Sequence, residues 1–138
     1  MMLLFALAVG QILVATEKSH DPDLSKSVVL LIHSDSDGVM GLILNHPRGK
    51  LPYDGGPIPQ GARALLHKQQ GEAEQILPGV YMTSKTKDAT ARIYAGYVGW
   101  SPQQLTDEIS RGLWKVVPGA SSIVFDKHPE TLWQRLTP

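Results

Sequence analysis

The residue types that could do chemistry are thinly spread along this 138-residue chain. His33-Ser34-Asp35-Ser36-Asp37-Gly38 looks like the start of a calcium loop. Such a loop needs an acid at its first position and a bidentate glutamate at its twelfth. Those positions hold His33 and Leu44, so the stretch reads as a solvated hairpin turn, for which Asp and Gly are the favoured residues. Five histidines, His20, His33, His46, His67 and His128, lack the short spacings of zinc sites. There is no cysteine, which removes thiolate ligands, disulfides and cysteine nucleophiles. No Gly-x-Ser-x-Gly elbow is present, and Ser25, Ser27, Ser84 and Ser101 read as turn, strand-end or cap residues. Neither Gly-x-Gly-x-x-Gly nor a Walker pattern occurs. No metal and no cofactor is therefore expected.

Three stretches retain an interest in binding. Gly55 and Gly56, inside DGGPIP, permit close backbone approach to a ligand or anion, although Gly-Gly-Pro is turn chemistry in its own right. Tyr97 and Trp100, in GYVGW, either line a site or pack a joint between strand and helix. Glu108 stands beside the apolar stripe of Leu105 and Ile109, as a functional carboxylate or as an acceptor for hydrogen bonds from the backbone.

The elements that position these residues follow from hydrophobic pattern and turn chemistry. Residues 10–16 read as a first strand, with a single helical turn near Pro22 and Leu24. Residues 27–33 and 39–45 are continuous apolar runs around an Asp-Gly turn, hence a β-hairpin buried on both faces. Four prolines and four glycines among residues 46–61 predict a loop. Residues 62–68, 76–84 and 91–97 read as strands, the last with Ile93, Ala95 and Tyr97 opposite Arg92 and Tyr94. Ser101, Pro102 and Gln104 have the spacing of a helix start and Gly112 marks its stop. A strand over 113–118 and a helix over 128–136 complete an α+β pattern.

Length and a 42% apolar content fit one globular domain over residues 10–138. Residues 1–9 read as an apolar leader or truncated signal-like segment, too short for a stable membrane span. Ala6-Leu7-Ala8 is placed like a cleavage site, but no Lys or Arg precedes the apolar stretch. The expectation is a cytoplasmic protein, with export after cleavage near Ala8 as the alternative. Thirteen basic and thirteen acidic residues, with no basic run, argue against nucleic acid as a partner.

Taken in order, GQILVAT, DPDLSKSVVLLIH, GLILNHP, GGP, GYVGW followed by QL and EI, and the spaced Trp114, Phe125 and Trp133 resemble the YqgE/AlgH family of small bacterial proteins. The resemblance implies a mixed, strongly bent sheet that closes into a partial barrel with a few flanking helices. It also implies recurrent positions at Gly10, Pro22, Gly41, Asn45, Pro47, Gly55, Gly56, Pro57, Gly96, Tyr97, Gly99, Trp100, Gln104, Leu105 and Glu108. It implies no established reaction; one branch carries a regulator label. The chain departs from the pattern in two short connections, between Pro47 and Gly55 and between Ser84 and Arg92.

The expected function is a non-enzymatic binding or regulatory module for a small molecule or protein partner. Its expected cleft joins Asn45, Pro47, Gly55, Gly56, Tyr97, Trp100 and Glu108, with no catalytic residue assigned. The alternative is a metal-independent hydrolase or transferase with Glu108, or a histidine such as His33 or His46, as general base.

Overall fold

The computed structural model describes residues 7–49 and 51–137, so residues 1–6 of the expected leader lie outside the described residues. Strand β1 (Ile12–Ala15) and the hairpin β2 (Val28–Asp35) and β3 (Gly38–Ile43) lie side by side in one sheet. Asp35 sets the hairpin turn, because its Oδ1 accepts from the amides of Asp37 at 2.8 Å and Gly38 at 3.1 Å. After β4 (Tyr53–Asp54) come β5 (Ile58–Leu66), β6 (Glu74–Leu77), β7 (Val80–Thr83), β8 (Arg92–Trp100) and β9 (Trp114–Val117). The order across the sheet is β6-β7-β5-β8-β3-β2-β1-β9, antiparallel throughout. Strand β4 adds a parallel pairing to β8, which makes the sheet mixed. With helices α1 (Pro102–Ser110), α2 (Ser121–Val124) and α3 (Leu132–Leu136), the fold is α+β.

The sheet curls into a partial barrel. Gly119 continues the β1–β9 register opposite Gly10, and a Cβ on Gly10 would stand 2.7 Å from the carbonyl of Ile76 in β6. The two outer strands of the sheet therefore meet at one lip, where only glycine lets the backbones approach. Apolar residues fill both faces. Leu30, Leu42, Leu65, Val80 and Tyr94 belong to one core, with α2 and α3 against it. Leu13, Val29, Val98, Trp100 and Trp114 belong to the other, with Leu105 of α1 fully buried among them. Burying that one leucine is worth about 1.5–3 kcal/mol. The near-continuous apolar runs of β1 and β2 are the sequence trace of this two-sided burial.

Four sequence expectations need correction. Residues 46–61 are not all loop, since β4 and the start of β5 lie inside them. Pro59 and Gly61 are accommodated because the β5–β8 register shifts between Ile58 and Ala62, where no regular ladder has to be completed. Residues 76–84 are not one strand but part of the β6–β7 hairpin, turned at Pro78-Gly79 with Gly79 at φ +84°. The helix expected over 128–136 is a 3₁₀ turn, Pro129–Thr131, followed by α3, and the short helix α2 precedes it. Arg92 ties α2 to the sheet by donating to the carbonyls of Val124 and Asp126. Finally, β8 does not end at Tyr97 and does not alternate throughout. Gly96 at φ +77° shifts the phase, so Tyr94 and Tyr97 face one core while Val98 and Trp100 face the other.

Candidate functional site

The seven residues expected to share a cleft fall into three places. Asn45 lies just past β3, where its Oδ1 accepts from the Val28 amide at 3.0 Å and its Nδ2 donates to the Lys26 carbonyl at 2.9 Å. Its amide thus holds the start of β2, next to Lys26 in a left-handed conformation at φ +58°. Pro47 is half-buried and leads into the turn closed by the Arg48–Leu51 bridge. The neighbouring His46 imidazole is pushed below its ordinary value by burial, which the Asp54 carboxylate partly offsets.

Gly55 and Gly56 make the second place. The Gly55 amide donates to Ala95 at 2.8 Å and its carbonyl accepts from Ile43 at 2.9 Å, so it is wedged between β3 and β8. A Cβ there would stand 2.5 Å from the Gly96 carbonyl, and one on Gly56 would stand 2.2 Å from the Tyr97 carbonyl carbon. The Gly56 amide donates to Asp54 Oδ1 at 3.3 Å. These glycines serve contact between strands, and their amides are already partnered.

The third place lies about 13 Å further along β8, four residues beyond Gly96. Ser101 caps α1 by accepting from the Gln104 amide at 3.1 Å, and Pro102 stands at the first helical position. One turn on, Glu108 Oε1 accepts from Trp100 Nε1 at 3.2 Å and from Trp114 Nε1 at 2.9 Å. The two indoles meet edge to face with centroids 5.9 Å apart. Glu108 therefore joins β8, α1 and β9, and it accepts from side chains rather than from backbone. Neither His33 nor His46 hydrogen-bonds to Glu108 among the described residues: His33 Nε2 lies 2.8 Å from Asp35 Oδ2.

Two concavities adjoin Tyr97, Trp100 and Glu108. A groove of about 300 Å³ runs between the β2–β3 turn and strands β5 and β8. Met40, Ile58, Tyr97 and Trp100 form its walls, Gly38 and Gly99 leave its floor low, and His33, Asp35 and Asp37 rim it. The Asp37 amide and the His33 ring hold the Asp35 carboxyl below the usual carboxylate range. A second cavity, of about 320 Å³, lies between residues 18–24 and the end of α1, lined by Glu108 and Trp114 together with Lys18, His20 and Arg111. Sequence reading did not find its rim, because residues 18–20 and 111 meet only through the fold. The Glu108–Trp114 link had a trace, a carboxylate in the last turn of a helix ahead of an aromatic that opens the next strand.

No set of three His, Asp or Glu side chains that could hold a metal ion occurs among the described residues. Ser84 and Lys87 have the spacing of one class of serine nucleophile, but they lie on exposed, non-helical chain, where that spacing does not bring hydroxyl and amine together.

With this sheet and the Trp100–Glu108–Trp114 arrangement described, comparison decides the family. A model described as AlgH-like matches residues 12–137. The chain belongs to the AlgH-like family.

Among relatives in this family, a UPF0301 protein of Streptomyces coelicolor is 31% identical over 163 aligned positions, covering 92% of this chain and 83% of its own length. One from Methylococcus capsulatus is 31% identical over 158 positions, covering 91% and 87%. Both alignments are longer than the 138-residue chain, so the relatives carry residues that this AlgH-like protein lacks, in keeping with its two short connections. The second of these connections borders an open cavity of about 520 Å³. Two solved structures share the fold. A Corynebacterium diphtheriae protein superposes with a TM-score of 0.81 at 23% identity, covering 98% of this chain and 88% of that one. The AlgH protein of Pseudomonas aeruginosa gives 0.73 at 24% identity, with coverages of 99% and 89%.

Proposed function

We propose that this AlgH-like protein is a non-enzymatic binding or regulatory module that works through the groove between the β2–β3 turn and strands β5 and β8. One observation carries the reading. Of the expected site residues, Asn45, Gly55 and Gly56 have polar groups committed to the fold and Glu108 has one oxygen held by the Trp100 and Trp114 indoles, whereas Tyr97 and the ring of Trp100 line the groove. Apolar walls with a polar rim suit recognition of a small molecule or a short protein segment. The acidic groups of Asp35 and Asp37 do not suit a phosphate backbone, which supports a partner other than nucleic acid.

A thermal-shift screen over metabolites and metals tests this, because a ligand of the folded state raises the melting temperature. Ligands that stabilise the wild type are expected to lose their effect with Tyr97→Ala or Asp37→Lys, both checked for fold by circular dichroism. If such a ligand is instead consumed, and Glu108→Gln or His20→Gln abolishes its turnover, the enzymatic alternative replaces this reading. That alternative has one observation in its favour: His20 and Glu108 line the same cavity.

We place the protein in the cytoplasm. Leu7 packs on the core that contains Trp100, and the Ala8 amide donates to Gln11 Oε1 at 2.8 Å, so cleavage near Ala8 would disturb contacts that these two residues make with the domain. No helix among the described residues is long and apolar enough to cross a membrane. Mass spectrometry of the native N-terminus distinguishes this from export.

A further inference from the structure

The groove borders a strand edge that the fold leaves open. Ala95 pairs with Ala62 of β5 and with Asp54 of β4, so those two strands flank β8 on opposite sides. The β4 side is also the β3 side, because Gly55, which donates to the Ala95 carbonyl, accepts from the Ile43 amide at the end of β3. On the other side the β5 ladder stops at Ile58, opposite Tyr97. Val98, Gly99 and Trp100 therefore have β3 on one edge and, among the described residues, no strand on the other.

Alternation along β8 decides which backbone groups that edge presents. The Trp100 carbonyl oxygen lies 3.4 Å from where a Cβ on Gly38 of β3 would be, so it points to the β3 side. Successive residues of a strand turn their N–H and C=O groups to opposite edges, which aims both groups of Gly99 at the open side. Gly99 is exposed, and it makes no backbone hydrogen bond outside the β3–β8 ladder among the described residues. Its missing side chain leaves a hollow, where a Cβ would stand 3.1 Å from Ile58 Cδ1 and 3.4 Å from Tyr97 Cε2. The titratable side chains that line the groove, beside Tyr97, are His33, Asp35 and Asp37, with no Lys or Arg. Arg63 stands 5.1 Å from the Tyr97 ring centroid, outside that lining.

We infer that Gly99 is the docking point for an extended peptide segment of another protein, one with an aliphatic side chain and a net positive charge. The inference rests on the groove reading and names its occupant. An N–H and a C=O on one edge of one residue match the C=O and N–H of one extended peptide residue, which continues the line of β5. The side chain of that residue falls on the same face as Gly99, over the hollow between Ile58 and Tyr97. The acidic groove attracts a basic segment and repels an acidic one.

The test is NMR on the full chain, with acetyl-Lys-Thr-Ile-Thr-Lys-amide as the probe. In the free protein the Gly99 amide should exchange with solvent about tenfold or more faster than those of Val98 and Trp100. On titration it should shift saturably, with a Kd below about 5 mM, and its exchange should slow. N-methylation of the isoleucine nitrogen should weaken binding about tenfold, whereas N-methylation of the threonine that follows, whose N–H points away, should change it less than about twofold. Gly99→Val keeps the backbone groups, fills the hollow and should also weaken binding about tenfold. Strand pairing is overturned by a Gly99 amide as protected as its neighbours, by no saturable shift up to about 5 mM, by equal binding of the two N-methyl peptides, or by wild-type affinity in a folded Gly99→Val protein. The N-methyl pair needs no variant, so it decides even where Gly99→Val does not fold. A ligand from the thermal-shift screen that shifts Tyr97 and leaves the Gly99 amide unmoved would overturn strand pairing while the groove reading stands.

Discussion

Trp114 donates its indole N–H to Glu108 Oε1 across 2.9 Å and so fastens the edge strand β9 to the last turns of α1. Trp100 donates to the same oxygen from β8, which makes one carboxylate oxygen the meeting point of three elements. Glu108→Ala should orphan two largely buried donors and cost about 1–3 kcal/mol for each. Glu108→Gln keeps an acceptor and should cost about half as much. Urea unfolding followed by tryptophan fluorescence measures both, and equal losses in the two variants would deny the shared oxygen its role.

Asn45→Ala should destabilise the protein by about 1–3 kcal/mol, because the Val28 amide in the buried first half of β2 loses its acceptor. Asn45→Asp keeps that acceptor and loses only the donation to Lys26. It should fall between wild type and Asn45→Ala in denaturant midpoint.

Gly55→Ala and Gly56→Ala put a methyl group against β8 backbone, where no side chain can rotate away. Each should cost more than about 3 kcal/mol or abolish soluble expression. Gly49→Ala makes the contrast. Like Gly56 it has a positive φ, but nothing stands within 4 Å of the added carbon, so its cost should stay at about 1 kcal/mol. Thermal melts of the three variants settle the ranking.

Arg135 grips Asp126 with both terminal nitrogens, at 2.6 and 2.9 Å, and these bonds hold the Asp126 carboxyl below the usual carboxylate range. A depressed folded-state value favours folding while the group is ionised. The stabilisation is complete above the unfolded value of about 3.9 and disappears as the pH falls through the lower folded value. Asp126→Asn should therefore lower the melting temperature at neutral pH and converge on wild type only once the pH has fallen below that lowered folded value. A constant gap down to that pH would assign the effect to packing.

What was legible in the sequence is what depends on local chemistry. The Asp35–Gly38 hairpin turn, the Ser101 cap and the Gly112 stop each rest on a few neighbouring residues, and each stands where the pattern placed it. The family resemblance was legible from motif order, and it brought the bent sheet with it. The start of β5 was not legible, because Pro59 and Gly61 are ordinarily loop residues and only the irregular pairing with β8 makes room for them. Nor was the separation of Asn45 from Glu108. Motif lists carry no distance, and Gly96 turns the strand between them from one core to the other. The groove and the cavity depend on residues such as Ile58 and Lys18, which no local rule marks.

The lip where Gly10, Gly119 and the Ile76 carbonyl come together bears on the order of folding. Its members lie near the start, the end and the middle of the chain, so no local segment can form it in advance. Closing contacts of such wide sequence separation carries a large loop entropy and slows the search for the native state. The hairpins β2–β3 and β6–β7 are free to form first, and the clasp belongs to the last step. A side chain at Gly119 would then act chiefly on how fast the finished molecule reopens, and interrupted-refolding kinetics would show it as faster unfolding with little change in the folding rate.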